Sequence, residues 1–431
     1  MRATIARAAA MFSYTPLLGF AAAVSFGKLI VYAKLIAVAQ FGALGQMLLV
    51  SAAFGMGASL GLQSVASRDV PALIARGRQR VGVRLLAQTI AVASWIGLLS
   101  VLAAAAGLSL FDLTAEELTL GVVHGWAQLA FLTLAFESRS RLEMMRYARD
   151  MAGRNTAIAV AGALVAGLGF GARGVMLAEI AGTLVFCVVL GRTILARARV
   201  GPRWFLRALA VHRSRLPWRA ALLMCAGTLV MFASSNVDRW IAAETLSRDA
   251  FGIYAFGWLA LLAAQSVQGL LNSGLLPLLS RRRADSLEAS AYRLTALVST
   301  ALLVGGLSAV LPTAWILTRI VEHWMPQYAE ARSLWLPLLL AAVFRVSDFW
   351  SSLLLVLERE GRLLAVQSTA VAAACVGYLA WLAVGTGGPT PVSLAWLAVA
   401  AAVLSHASSA ALVAHVRRAA SSLRNREDHA Q

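Results

Sequence analysis

Charge is scarce in this chain, and acidic charge most of all. Charged side chains make up 13% of the 431 residues and hydrophobic ones 60%, while 38 basic residues face only 20 acidic ones, for a formal net charge of +18. A water-soluble domain of this length has no means of hiding so much apolar surface, so that class is excluded. Cysteine is also scarce. Cys187, Cys225 and Cys375 all lie in apolar segments without metal-ligand spacing, and an odd number within lipid points to packing rather than disulfides. Lysine is nearly absent, since Lys28 and Lys34 are the only two. No G-x-x-x-x-G-K-[ST] loop, H-E-x-x-H pair or G-x-S-x-G elbow occurs, which argues against P-loop ATP hydrolysis, zinc proteolysis and serine-hydrolase chemistry. The segments between apolar runs are too short to house a soluble enzyme. The chain is expected to be a non-enzyme with no cofactor and no metal.

What is abundant is long apolar sequence. Runs such as 86–108, 292–318 and 363–384 match or exceed the roughly 20 residues that cross a bilayer as a helix, and a helix satisfies its own backbone there. Twelve such spans are expected. The run from Ala8 to Ala39 is too long for a signal-peptide core, so it is expected to remain as the first span. The arginines fall in alternate gaps: Arg68 to Arg84, Arg139 to Arg154, Arg192 to Arg219, Arg281 to Arg293, and a tail from Arg417 to Arg426. The gaps between them are acidic, mixed or neutral, as with Asp112, Glu116 and Glu117. Basic loops stay in the cytoplasm, which predicts both termini inside. The net charge is thus topological, with attraction to anionic membrane lipids, and no nucleic-acid partner is expected.

The fold expected is all-α and integral to the membrane, about twelve helices in two six-helix bundles around a central cavity. Residues 1–198 form the first bundle, 199–218 a basic cytoplasmic linker, 219–418 the second bundle and 419–431 a polar cytoplasmic tail. Phe41-Gly42 and Phe251-Gly252 are read as ending the first helix of each half, which suggests a parallel repeat about an axis along the membrane normal. Gly57 with Gly61, and Gly167 with Gly171, have the GxxxG spacing of close helix approach, with a hinge as the alternative.

Several charges fall inside spans, where each costs at least ~2.5–3.5 kcal/mol on insertion scales. Lys28 is expected near the midplane of a first helix covering about residues 12–40, facing a wet cavity or an ion-pair partner, with Lys34 snorkelling to the headgroups. Arg345 and Asp348, three residues apart, share a helix face and suggest either an internal salt bridge or a cationic site with a regulating carboxylate. Asp238, Arg239 and Glu179 complete the set of charges to explain, with His124 as a polar residue near an interface. Glu179 is paired on paper with Arg173, and Asp238 with Arg239.

The run Asn236-Val237-Asp238-Arg239, then Phe251-Gly252-Ile253-Tyr254-Ala255, then Pro277-Leu278-Leu279-Ser280-Arg281, resembles the seventh and eighth helices of polysaccharide-biosynthesis membrane proteins, the Wzx-type flippases. Gly27-Lys28, Phe41-Gly42, Gly61 and Glu360-Gly361-Arg362 are similar too, whereas Gln40 stands where that family carries an arginine. The family lies in the multidrug/oligosaccharidyl-lipid/polysaccharide exporter superfamily. The resemblance implies a flippase that moves a lipid-linked oligosaccharide across a bacterial inner membrane by alternating access, with polysaccharide polymerases and glycosyltransferases as neighbours in the pathway. Lys28, Arg345 and Arg239 would then supply cations to an anionic diphosphate, and Asp348, Asp238 and Glu179 would serve as coupling or ion-pair carboxylates. A cation-coupled multidrug antiporter and a non-transport scaffold are the alternatives.

Overall fold

The computed structural model describes residues 13–201, 203, 204, 207, 216–284, 288–384 and 388–430. The expected linker falls largely outside these. Fourteen α-helices and one short 3-10 helix account for the secondary structure of the described residues, which include no strand. Eleven of the helical segments are long and apolar enough to cross a membrane. The chain is therefore a multi-pass membrane protein.

The chain divides between Phe232 and Ala233 into two compact units. In the first, α1 (Thr15–Leu35), α2 (Val38–Gly57), α3 (Leu62–Ala75), α4 (Gln79–Ala105), α5 (Ala115–Ser140), α6 (Met144–Gly167) and α7 (Gly171–Ala198) precede the start of α8 (Trp218–Thr245). Helix α1 packs on α6, α6 on α7 and α7 on α5, while α5 also carries α2 and α4. The second unit takes the end of α8 with α9 (Arg248–Ala284), α10 (Glu288–Trp324), α11 (Arg332–Ser347), α12 (Phe349–Val356), α13 (Glu360–Val384) and α14 (Pro391–Ala430). There α11 is the hub, packed on α9, α10 and α14.

Outward faces are apolar in both units. Helix α7 exposes Leu177, Val185, Val188 and Val189, and α10 exposes Leu297, Val304, Leu311 and Trp315. Such faces suit hydrocarbon rather than water. Helix α6 is the polar exception, because Arg146, Arg149 and Arg154, expected in a basic gap between spans, lie within it. The helix begins at Met144, so Arg154 lies about 15 Å along it at 1.5 Å per residue. Its 24 residues still have spanning length, and Arg154 and Asn155 turn inward, where both are buried.

Three local expectations change. Helix α1 ends at Leu35, so Phe41-Gly42 lies in the first turn of α2 instead of closing α1. Phe251-Gly252 lies likewise in the first turn of α9, so the two dipeptides still hold matching places. Gly167 is the last residue of α6 and Gly171 the first of α7, and nothing comes within 4 Å of a side chain added at Gly167. That pair frames a turn instead of a helix contact. Gly57 and Gly61 also straddle a break, because α2 stops at Gly57 and Gly61 takes φ +80° as the residue before α3. Close approach holds at Gly61, where a Cβ would sit 1.8 Å from the Ala221 carbonyl oxygen of α8.

Candidate functional site

Two groups of ionisable side chains are buried, one in each unit. The first forms where α1, α2, α5, α6 and α7 converge. Helices α2 and α5 approach closely because α5 presents Gly121 and Gly125. A Cβ at Gly125 would lie 2.5 Å from the Ser51 carbonyl oxygen, and one at Gly121 2.9 Å from that of Met47. This brings His124, between the two glycines, against Ser51, with 2.7 Å between Ser51 Oγ and His124 Nδ1. The other ring nitrogen, Nε2, lies 3.1 Å from Glu179 Oε2 of α7. A neutral ring with its proton on Nε2 satisfies both contacts, accepting from Ser51 and donating to Glu179. Lys28 Nζ donates to the same Glu179 oxygen at 2.5 Å. Glu179 and His124 are each 1% exposed and Lys28 7%, so the cluster is closed off from bulk solvent.

Arg154 stands within electrostatic reach of Glu179. Its guanidinium donates to Thr183 Oγ1 at 3.0 and 3.2 Å and to Asn155 Oδ1 at 3.2 Å, and it lies over the Phe131 ring, 5.0 Å from the centroid. Asn155 in turn donates to the Ala21 carbonyl of α1 at 2.9 Å. Tyr32, one turn beyond Lys28, donates to the Ile158 carbonyl at 3.1 Å. It fits only because Gly162 faces it, where a Cβ would lie 2.1 Å from the phenol oxygen.

The second group lies between α8, α9 and α11. Asp238, fully buried, accepts from Tyr254 Oη at 2.6 Å and Trp258 Nε1 at 3.0 Å on one oxygen. Its other oxygen faces Arg345 at 3.6 Å. Arg345 also donates to the Ser235 carbonyl at 2.8 Å, while its own carbonyl accepts from Gln268. Arg239 stacks over the Trp258 ring with its guanidinium carbon 4.1 Å from the centroid, a cation–π contact.

All three carboxylates have partners other than those the spacing suggested. Glu179 holds Lys28 and His124, and Arg173 instead pairs with Glu116 at 2.6 Å. Asp238 holds Arg345. Asp348 does not pair with Arg345, because α11 ends at Ser347 and Asp348 caps α12, accepting from the Ser351 amide at 3.3 Å and from its hydroxyl at 2.5 Å. The three-residue spacing placed them on one face only if the helix ran unbroken. Ser51 and Thr183 carry no signal in the sequence, and Arg154, expected in a basic cytoplasmic gap, is instead a buried member of the site. Gln40 has a place of its own: its side-chain oxygen accepts from the Ala172 amide at 3.1 Å, satisfying a free donor in the first turn of α7. Among the described residues, no group of three or more His, Cys, Asp or Glu side chains is placed to hold a metal ion.

No protein-family model matches the sequence, and no curated protein matches it. Solved structures do match. An inward-facing multidrug resistance MATE family transporter of the MOP superfamily superposes with a TM-score of 0.61 at 11% identity, over 94% of this chain and 96% of that one. The fold is that of the MATE transporters. A mutant of the Vibrio cholerae MATE transporter VcmN gives 0.59 at 14% identity, over 97% and 98% of the two chains. A MOP superfamily transporter from Pyrococcus furiosus, whose binding pocket is described as reversed in polarity with a different function suggested, gives 0.59 at 11% identity over 94% and 95%. The MATE fold has been solved in outward-facing form as well.

Proposed function

We propose that the chain is a flippase that moves an anionic, lipid-linked oligosaccharide across the membrane by alternating access. One observation carries this reading: each buried group holds more positive than negative charge. Lys28 and Arg154 stand with one carboxylate, Glu179, and Arg345 and Arg239 with one, Asp238. Burying a surplus cation is costly and is sustained where an anion visits. A polyprenyl diphosphate suits this balance, since its phosphates meet cations while its tail stays in hydrocarbon. The fold supports transport, because solved transporters of this fold occur in inward- and outward-facing forms.

An interior-negative potential favours outward movement of an anion by about 2.3 kcal/mol per charge per 100 mV, and no nucleotide-binding loop is present to supply ATP energy. Glu179, Asp238 and Asp348 are the carboxylates proposed for ion coupling. The rival is export of cationic drugs, as the multidrug neighbours' descriptions suggest for those proteins. It calls for the opposite balance of buried charge.

Purified protein in proteoliposomes, given a fluorescent polyprenyl-diphosphate glycolipid, is expected to flip it at a rate that rises with imposed potential and needs no ATP. Export of ethidium without glycolipid flipping would promote the antiporter, and a strict ATP requirement would reject the mechanism.

A further inference from the structure

At the turn joining α3 to α4, the first unit holds a pocket of about 610 Å³. Asp69 and Leu73 line it from α3 and Arg76 from the residue that caps it, and Val81, Arg84 and Gln88 from α4. Both sets follow helical spacing, so each helix turns one continuous face to the space. Pro217, leading into α8, closes a third side.

The polar groups in this pocket do not satisfy one another. Gln88 is 2% exposed, and its Nε2 has no hydrogen-bond partner; the buried Nε of Arg84 has none either. Native interiors seldom leave buried donors unmatched, and each costs about 1–3 kcal/mol. Asp69 does not answer them: its oxygens accept from its neighbour Arg68, at 2.7 and 3.2 Å, and neither orphaned donor reaches them. The lining therefore offers two guanidinium groups and a carboxamide donor against one carboxylate, Asp69, with the inner donors of Arg84 and Gln88 unmatched, beside apolar Leu73, Val81 and Pro217. Guanidinium forks match phosphate oxygens in geometry as well as charge.

We infer that this pocket binds a phosphate-bearing group, with Arg84 and Gln88 as its inner donors and Arg76 at its mouth. A lipid phosphate headgroup and a free phosphate or diphosphate share this chemistry. The pocket shares no residue with the groups around Lys28 and Arg345, and binding to it needs no transport, so it stands or falls independently of the flippase reading.

The test uses full-length protein in phosphatidylcholine nanodiscs, titrated calorimetrically with inorganic pyrophosphate, dioctanoyl phosphatidic acid and, as a blank, dioctanoyl phosphatidylcholine. Saturable binding of pyrophosphate or phosphatidic acid is expected. It should weaken at least about tenfold in Arg84→Gln and in Gln88→Leu, the loss of one hydrogen bond to a charged group. Arg192→Gln, which removes an exposed arginine elsewhere, should leave it unchanged. The tighter of the two probes identifies the source as soluble phosphate or lipid headgroup. Should Arg84→Gln fail to fold, Arg76→Gln at an exposed position carries the same expectation. Absence of saturable binding by both probes, or equal weakening by Arg192→Gln, would overturn the site.

Discussion

Breaking the Lys28–Glu179 contact from one side leaves a buried charge without its nearest counter-ion. Lys28→Met strands the carboxylate and Glu179→Gln strands the ammonium, and each should cost about 3–5 kcal/mol. The double variant removes both charges, and its amide oxygen still accepts from His124. It should therefore recover most of the loss in thermal unfolding of detergent-solubilised protein. A double variant no better than the worse single one would mean the pair is not the source of the cost. The glycines around the group give a second expectation. Gly125→Ala pushes a methyl against the Ser51 backbone and should destabilise by about 1–3 kcal/mol. Gly27→Ala, with nothing within 4 Å, should be neutral or raise the melting temperature. Arg154 was hidden at the end of a basic stretch, whereas Lys28, Glu179, Asp238, Arg239 and Arg345 were visible in the sequence because ionisable side chains are expensive in apolar runs. Their partners were not: Glu179 lies 151 residues from Lys28, and no local spacing encodes such a contact.

At the level of helices, the break at Asp348 separates two roles for one carboxylate. As the cap of α12 it needs only an acceptor oxygen, so Asp348→Asn should keep stability near the wild type while Asp348→Ala loses about 0.5–2 kcal/mol. If Asp348→Asn instead abolishes glycolipid flipping with stability intact, the group carries charge for function as well. Gly61 is less forgiving, because a side chain there meets both a left-handed backbone and the Ala221 carbonyl. Gly61→Ala is expected to lower the yield of folded protein sharply, as measured by monodisperse recovery in size-exclusion chromatography. The helices themselves were legible from apolar run lengths, but the breaks were not. GxxxG spacing is the same whether two glycines face a neighbouring helix or flank a turn, and only the backbone at Gly61 and Gly171 tells them apart.

For the molecule as a whole, the alternation of basic gaps predicts which loops face the cytoplasm. Reporter fusions after Arg80 and Arg283 should read cytoplasmic and one at Gly388 periplasmic; a periplasmic signal at Arg283 would invalidate the proposed orientation. The hydropathy pattern carried the fold class, yet α6 shows its limit, since a helix with four charged residues has spanning length without an apolar sequence, and buries Arg154 and Asn155 against its neighbours. That arrangement also imposes a schedule on biosynthesis. At roughly 5–20 residues per second, the 151 residues separating Lys28 from Glu179 take about 8–30 s to emerge from the ribosome. Throughout that interval the first helix must hold its ammonium without its carboxylate, against the charge penalty of hydrocarbon. The nascent first helix is thus committed to waiting, at the lipid interface or in the keeping of the insertion machinery, until α7 brings its carboxylate.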